Sequence, residues 1–180
     1  MSGSDCVAKG HLKRDIAVLA VVVVIVILLF VYVIPVGPHD GFVSKSQASS
    51  ITKQNYTSSS STSSSSGSQS TQSRYYNTSS GGYLLISVAK FNSSASAEQS
   101  FASINASLST EYHLLNIILK TGNFRGFKYE YTSISLLLIS LSFSAGIDGS
   151  YEFVIISSHY MSNNTMSSLS QAQISAMTSL

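Results

Sequence analysis

Residues 137–157 read LLISLSFSAGIDGSYEFVIIS. Leu137, Ile139, Leu141 and Phe143 alternate with Ser140, Ser142 and Ser144, the period-two pattern of a strand with one face toward a core. Gly146-Ile147-Asp148-Gly149 supplies the residues of a hairpin turn, and Tyr151–Ser157 reads as the returning strand. Just upstream, after a Gly122–Gly126 turn, Tyr129 and Tyr131 alternate with Lys128, Glu130 and Thr132. Three consecutive strands joined by short turns imply an antiparallel sheet.

Working outward, Tyr83–Phe91 (YLLISVAKF) is a short, apolar, β-favouring run and reads as another strand. In Asn92–Thr110, Ser96 and Gln99 fit a capping box, with Glu98 in the first turn. Ala97, Phe101, Ile104 and Leu108 recur at spacings of four, three and four, one apolar face of a helix. The pattern extends through Tyr112, Leu115 and Leu119, which leaves Tyr112–Lys120 open between helix and strand, with helix preferred. Asn163–Thr165 offer a cap for a last helix whose stripe is Met166, Leu169, Ala172 or Gln173, Ile174 and Met177. The expected fold is α+β over residues 81–180, in the order β-α-β-β-β-α, with a small antiparallel sheet covered by two helices on one face.

The N-terminal half differs in kind. Ile16–Val36, IAVLAVVVVIVILLFVYVIPV, holds no charge. About 20 apolar residues cross a bilayer as a helix. Pro35, Gly37 and Pro38 end the run. Lys9, Lys13 and Arg14 precede it closely, which by the positive-inside rule puts residues 1–15 in the cytoplasm as a short tail. The apolar run is too long for a signal peptide and no small-residue cleavage site follows, so it reads as a retained anchor in the cell membrane. The bilayer is thus one partner, through residues 16–36.

Residues 37–80 are almost free of aliphatic side chains, and Thr57–Ser66 is an unbroken Ser/Thr run. Such a segment buries too little apolar surface to offset chain entropy, so it is expected to be a disordered spacer of the Ser/Thr-rich stalk type. Asn-x-Ser/Thr sequons fall at Asn55, Asn77, Asn92, Asn105 and Asn163, all beyond the span. Asn55, Asn77, Asn92 and Asn163 are the candidate glycosylation sites, since Asn105 falls inside the expected helix.

Charged residues make up 10% of the chain and the net charge is +2. No cluster of Lys and Arg points to nucleic acid. The one cysteine, Cys6, precedes the span and reads as a reduced cytosolic thiol, so no disulfide framework holds the outer domain.

The acids of the outer domain are Glu98, Glu111, Glu130, Asp148 and Glu152, and its histidines are His113 and His159. No His-Glu-x-x-His, Cys-x-x-Cys or Gly-x-Ser-x-Gly occurs. Gly122 and Gly126 bracket Asn123-Phe124-Arg125 without a following Lys-Ser/Thr, so no phosphate loop is present. His113, His159 and Glu111 are the one set that folding could bring together; two solvated histidines are the plainer account. No catalytic residue, metal ligand or cofactor is assigned. Arg125, Lys128, Tyr129 and Tyr131 are the candidate binding group, because Tyr and Arg are enriched among interface hot spots and the strand could lie at a sheet edge. The competing account packs both tyrosines into the helix layer.

These readings describe a membrane-anchored, extracytoplasmic binding or interaction module for a surface protein or glycan, or an accessory subunit of a surface complex. A membrane-tethered hydrolase with an unrecognised site, and a structural component of a surface layer or filament, are the alternatives.

Overall fold

The computed structural model describes residues 41–115, 118–136 and 139–178, with side-chain environments outside 108–115, 136 and 139. The expected tail and membrane span, residues 1–36, lie outside the described residues. Among the described residues no helix is long and apolar enough to cross a membrane.

The elements in chain order are α1 (Lys45–Thr52), β1 (Tyr56–Ser66), β2 (Gln69–Thr78), β3 (Tyr83–Phe91), α2 (Ser94–Leu115), β4 (Lys120–Phe124), β5 (Phe127–Leu136), β6 (Ile139–Asp148), β7 (Tyr151–Ser157) and α3 (Asn163–Thr178). The strands form one seven-stranded sheet, ordered β1-β2-β3-β7-β6-β5-β4, with every pair antiparallel. The α+β class and the three-strand run β5-β6-β7 match the sequence pattern.

The expected disordered stalk is where the fold departs from it. Residues 45–78 form α1 and the β1–β2 hairpin, and β2 pairs with β3 along Gln69–Asn77. A Ser/Thr strand needs no core of its own when it completes the backbone ladder of a sheet whose other strands supply the core. Its ends carry the apolar load: Tyr56 and Tyr76 are buried, with ring centroids 5.7 Å apart. The preceding segment is fixed as well. Gln173 on α3 donates from Nε2 to the Gly41 carbonyl at 2.8 Å and accepts from the Val43 amide at 3.1 Å. The Tyr76 hydroxyl donates to the Val43 carbonyl.

Helix ends are set by serine. Ser44 Oγ accepts from Gln47 N ahead of α1, Ser93 Oγ from Ser96 N ahead of α2, and Ser162 Oγ from Thr165 N ahead of α3. The α2 cap is therefore Ser93 rather than Ser96, and the α3 cap Ser162 rather than Asn163–Thr165. Helix α2 runs to Leu115, as preferred for the ambiguous segment, but Lys120–Phe124 is strand β4, so Gly122 lies in a strand instead of opening a turn.

Helices cover both faces of the sheet, not one. Leu84, Ile86, Phe127, Tyr129, Phe153 and Ile155 share a face and form the main core with Met166, Leu169 and Ile174 of α3 and Ala48 of α1. On the opposite face Ala89 and Phe91 pack with Ala97 of α2, beside Ile147. This explains β6. Its serines alternate with the apolar residues, yet Ser142 and Ser144 are fully buried beneath the α3 layer. Each is satisfied there. Ser144 Oγ shares a 2.8 Å hydrogen bond with Ser170 Oγ, while Ser142 Oγ donates to the His159 carbonyl and accepts from Met161 N. Gly146 also belongs to the strand, and the β6–β7 turn is Gly149–Ser150, with Gly149 at φ 54.

Candidate functional site

The candidate binding residues sit at the β4–β5 hairpin. Phe124 pairs with Phe127, so Arg125 and Gly126 are the two loop residues, at φ 49 and 89. Two positive φ values are the signature of a type I′ turn, whose first position normally takes Asn, Asp or Gly. An arginine there adopts a backbone that costs on the order of 1 kcal/mol. Its exposed side chain lies over the Phe124 ring at 5.5 Å and donates to Thr178 Oγ1 at 3.0 Å. The contacts are therefore to an aromatic ring and a hydroxyl, and the charge is left facing solvent.

Lys128 is exposed too, on the face that α2 covers, opposite Ile147. Tyr129 and Tyr131 point the other way, as the alternation implied. The expectation of an exposed tyrosine pair at a sheet edge does not hold. Strand β4 pairs outside β5, and Tyr129 is 3% exposed. Both cross-strand neighbours of Tyr129 are glycines, Gly122 and Gly146. A Cβ on Gly122 would fall 2.4 Å from the tyrosine Cζ, and one on Gly146 would fall 2.6 Å from its Cβ. The ring thus lies over bare backbone beneath α3, its hydroxyl 3.0 Å from Ser167 Oγ and accepting from Gln171 Nε2 at 3.2 Å. Tyr131 is half-buried beside it, centroids 5.8 Å apart. The helix-layer account is the one the geometry gives for Tyr129.

A second basic–aromatic pair escaped sequence reasoning. Lys90 Nζ sits 5.5 Å from the ring centroid of Tyr151, which is 41% exposed. Lys90 pairs across strands with Tyr151, and Tyr151 with Asp148. Tyr151 directly after a glycine turn was a usable signal; its pairing with Lys90 depends on the β3–β7 register, which no local pattern encodes. The β1–β2, β4–β5 and β6–β7 turns all open at this end of the sheet, so Arg125, Lys90 and Lys128 lie at the same end, Lys90 with Tyr151 on the α3 face and Lys128 on the α2 face. Strands β3 and β5 are three spacings apart, about 14 Å.

The remaining ionisable groups do not converge. Glu152 is 5% exposed under α2, its Oε2 has no hydrogen-bond partner among the described residues, and burial pushes its carboxyl up to about 7 against a weaker opposing hydrogen bond with Ser100. Glu130 is raised by partial burial. His159 lies seven residues along the chain from Glu152, on the order of 20 Å at strand rise. Its ring occupies the space that a side chain at Gly82 would need. The Glu111 and His113 side chains lie outside the described residues. Among the described residues no three of His, Cys, Asp and Glu form a metal-binding group.

Of the sequons, Asn55, Asn77 and Asn92 are exposed and Asn163 is half-buried. Asn92 donates from Nδ2 to the Gly67 carbonyl at 2.9 Å. Asn105 lies within α2, with its Oδ1 buried and without a hydrogen-bond partner among the described residues.

No protein-family model matches the chain, and no curated protein matches it in sequence. Among solved structures it is similar to the extracellular domain of PknH from Mycobacterium tuberculosis, at 9% identity and a TM-score of 0.44, over 81% of this chain and 98% of that one. At that degree of overlap nothing about function follows from the likeness.

Proposed function

We propose that the chain is a membrane-anchored extracytoplasmic binding module whose contact surface is the basic rim formed by Arg125, Lys128 and Lys90 with Tyr151. The observation that carries this reading is Arg125 at the tip of a two-residue hairpin, at positive φ, whose contacts among the described residues are the Phe124 ring and Thr178 Oγ1. Strained non-glycine backbone is concentrated at functional sites, where surrounding structure sustains it. The ring of Phe124 and the end of α3 hold the guanidinium in place, so little rotamer entropy is lost on binding. Arginine's fork suits carboxylate or sulfate groups, and Tyr151 adds an exposed ring of the kind that stacks on sugars or apolar side chains. The partner is therefore an acidic glycan or an acidic protein surface. The anchor is supported by the uncharged run 16–36 with Lys9, Lys13 and Arg14 before it.

The test is charge reversal at Arg125 and Lys128 in the full chain displayed on intact cells. Binding to acidic members of a glycan panel should fall at least tenfold while Tm stays within a degree or so, since surface substitutions usually change stability by less than about 0.5 kcal/mol. External protease should release the C-terminal domain from the same cells. Unchanged binding by the reversed variant would dismiss the rim, and protection from protease would dismiss the topology.

A further inference from the structure

Among the described residues, Tyr151 is the exposed large hydrophobic side chain that stands in a strand; Ile118 and Tyr160 lie in connections. It directly follows the β6–β7 turn. On the β3 side it pairs with Lys90 and on the β6 side with Asp148. Cross-strand partners share a face of the sheet, and Lys90 pairs in turn with Ser70 of β2. Ser70, Lys90, Tyr151 and Asp148 thus make one row across four strands on the α3 face, and all four are exposed. Lys90 Nζ leans to within 5.5 Å of the Tyr151 ring centroid. Asp148 leans the other way, its Oδ2 3.1 Å from where a Cβ on Gly126 would fall. The ring therefore stands between a cation and an anion whose backbones are two strand spacings, about 9.6 Å, apart.

We propose, building on the rim as a contact surface for acidic partners, that this row is a subsite for one hexuronate residue of a glycan. The pyranose ring lies on Tyr151, the sugar carboxylate accepts from the Lys90 ammonium, and sugar hydroxyls donate to the Asp148 carboxylate. Each contact follows from the chemistry of the side chain. The tyrosine ring offers an apolar surface to the C–H side of a pyranose. An ammonium only donates hydrogen bonds, and an ionised carboxylate only accepts them. The ligand must therefore present a carboxylate on one side of the ring and O–H groups on the other. A hexuronate does both. An acidic peptide does not, because its further carboxylates would be set against Asp148, and like charges so placed are disfavoured. The same asymmetry fixes the direction in which the sugar lies, with its carboxylate toward β3.

The experiment titrates the full chain, solubilised in detergent, with a hexuronate tetrasaccharide, its carboxyl-reduced neutral counterpart and a poly-aspartate peptide. The hexuronate should bind at least tenfold more tightly than either of the others. Lys90→Gln should weaken the hexuronate about tenfold, the loss of one hydrogen bond between charged groups, and leave the neutral sugar unchanged. Tyr151→Ala should weaken both sugars at an unchanged Tm. The chain holds no tryptophan, so Tyr151→Trp places a sole reporter at the subsite, and its emission should shift when the hexuronate is added. Hexuronate binding that is lost on charge reversal of Arg125 and Lys128 yet untouched by Tyr151→Ala and Lys90→Gln would overturn the subsite and leave the rim standing. Tighter binding of the peptide than of the hexuronate, or no binding of either sugar, would overturn it as well. Binding lost with Tyr151→Ala but kept on reversal of Arg125 and Lys128 would support the subsite and dismiss the wider rim.

Discussion

At the scale of the residue, Glu152 and Tyr129 show how neighbours decide what a side chain can do. Glu152 sits among Ala89, Ile147 and the first turns of α2, where its ionised form is poorly solvated. Folding moves the carboxyl from its ordinary 4.5 up to about 7, so the folded chain holds the proton more tightly than the unfolded chain does. The sign follows: stability is highest below the unfolded value, declines as pH rises from about 4.5 through 7, and levels off above that. The gap corresponds to on the order of 3 kcal/mol at alkaline pH. Glu152→Gln keeps the shape and the Ser100 contact but cannot ionise. Its Tm should be nearly flat with pH while that of the parent falls from mildly acidic to alkaline buffer, and the variant should be the more stable of the two at alkaline pH. Parallel curves would show that Glu152 ionises without cost. Tyr129 makes the complementary point: glycines on either side turn a residue suited to binding into one suited to packing.

At the scale of the element, the segment before α1 is held by the buried side chain of Gln173 together with the Tyr76 hydroxyl and the burial of Phe42 and Val43. Gln173 is fully buried on α3 and supplies both bonds to Gly41 and Val43. Gln173→Leu would fill similar space but leave a buried carbonyl and a buried amide without partners, each costing about 1–3 kcal/mol. Hydrogen exchange should then accelerate at Val43 and along α1 far more than in β3 and β7. An equal acceleration everywhere would mean that the substitution lowers global stability without releasing this segment. The stripe that located α3 left its middle member open between Ala172 and Gln173; the structure buries Gln173, because a distant chain segment is laid against it.

At the scale of the whole molecule, the sheet takes in residues 56–78 as well as the region after 81. Removing residues 41–80 would strip α1, β1 and β2 from the sheet, unpair β3, and uncover Tyr76's neighbours Leu84 and Ile86. A fragment spanning 41–180 should melt in one cooperative step. The fragment 81–180 should melt broadly, with reduced strand signal in circular dichroism, because part of its core would be in water. A sharp transition at the same Tm in both fragments would instead make the β1–β2 hairpin an appendage.

Periodicity in the sequence determined the α+β class, the strands β3, β5, β6 and β7, and the helices α2 and α3, because apolar residues must recur at the period of the element that buries them. The glycines announced turns near the right places, though Gly122 and Gly146 proved to be strand residues making room for an aromatic ring. Hydropathy could not show that a Ser/Thr run belongs to the sheet. Its strands are held by backbone hydrogen bonds, and the backbone is the same for every sequence. Likewise the serines of β6 could not reveal a covered face, since their partners, Ser170, His159 and Met161, come from elements some twenty residues away. The rim of Lys90, Arg125, Lys128 and Tyr151 was half legible: Arg125 and Lys128 flank a visible turn, while Lys90 reaches Tyr151 only through a register that tertiary structure sets.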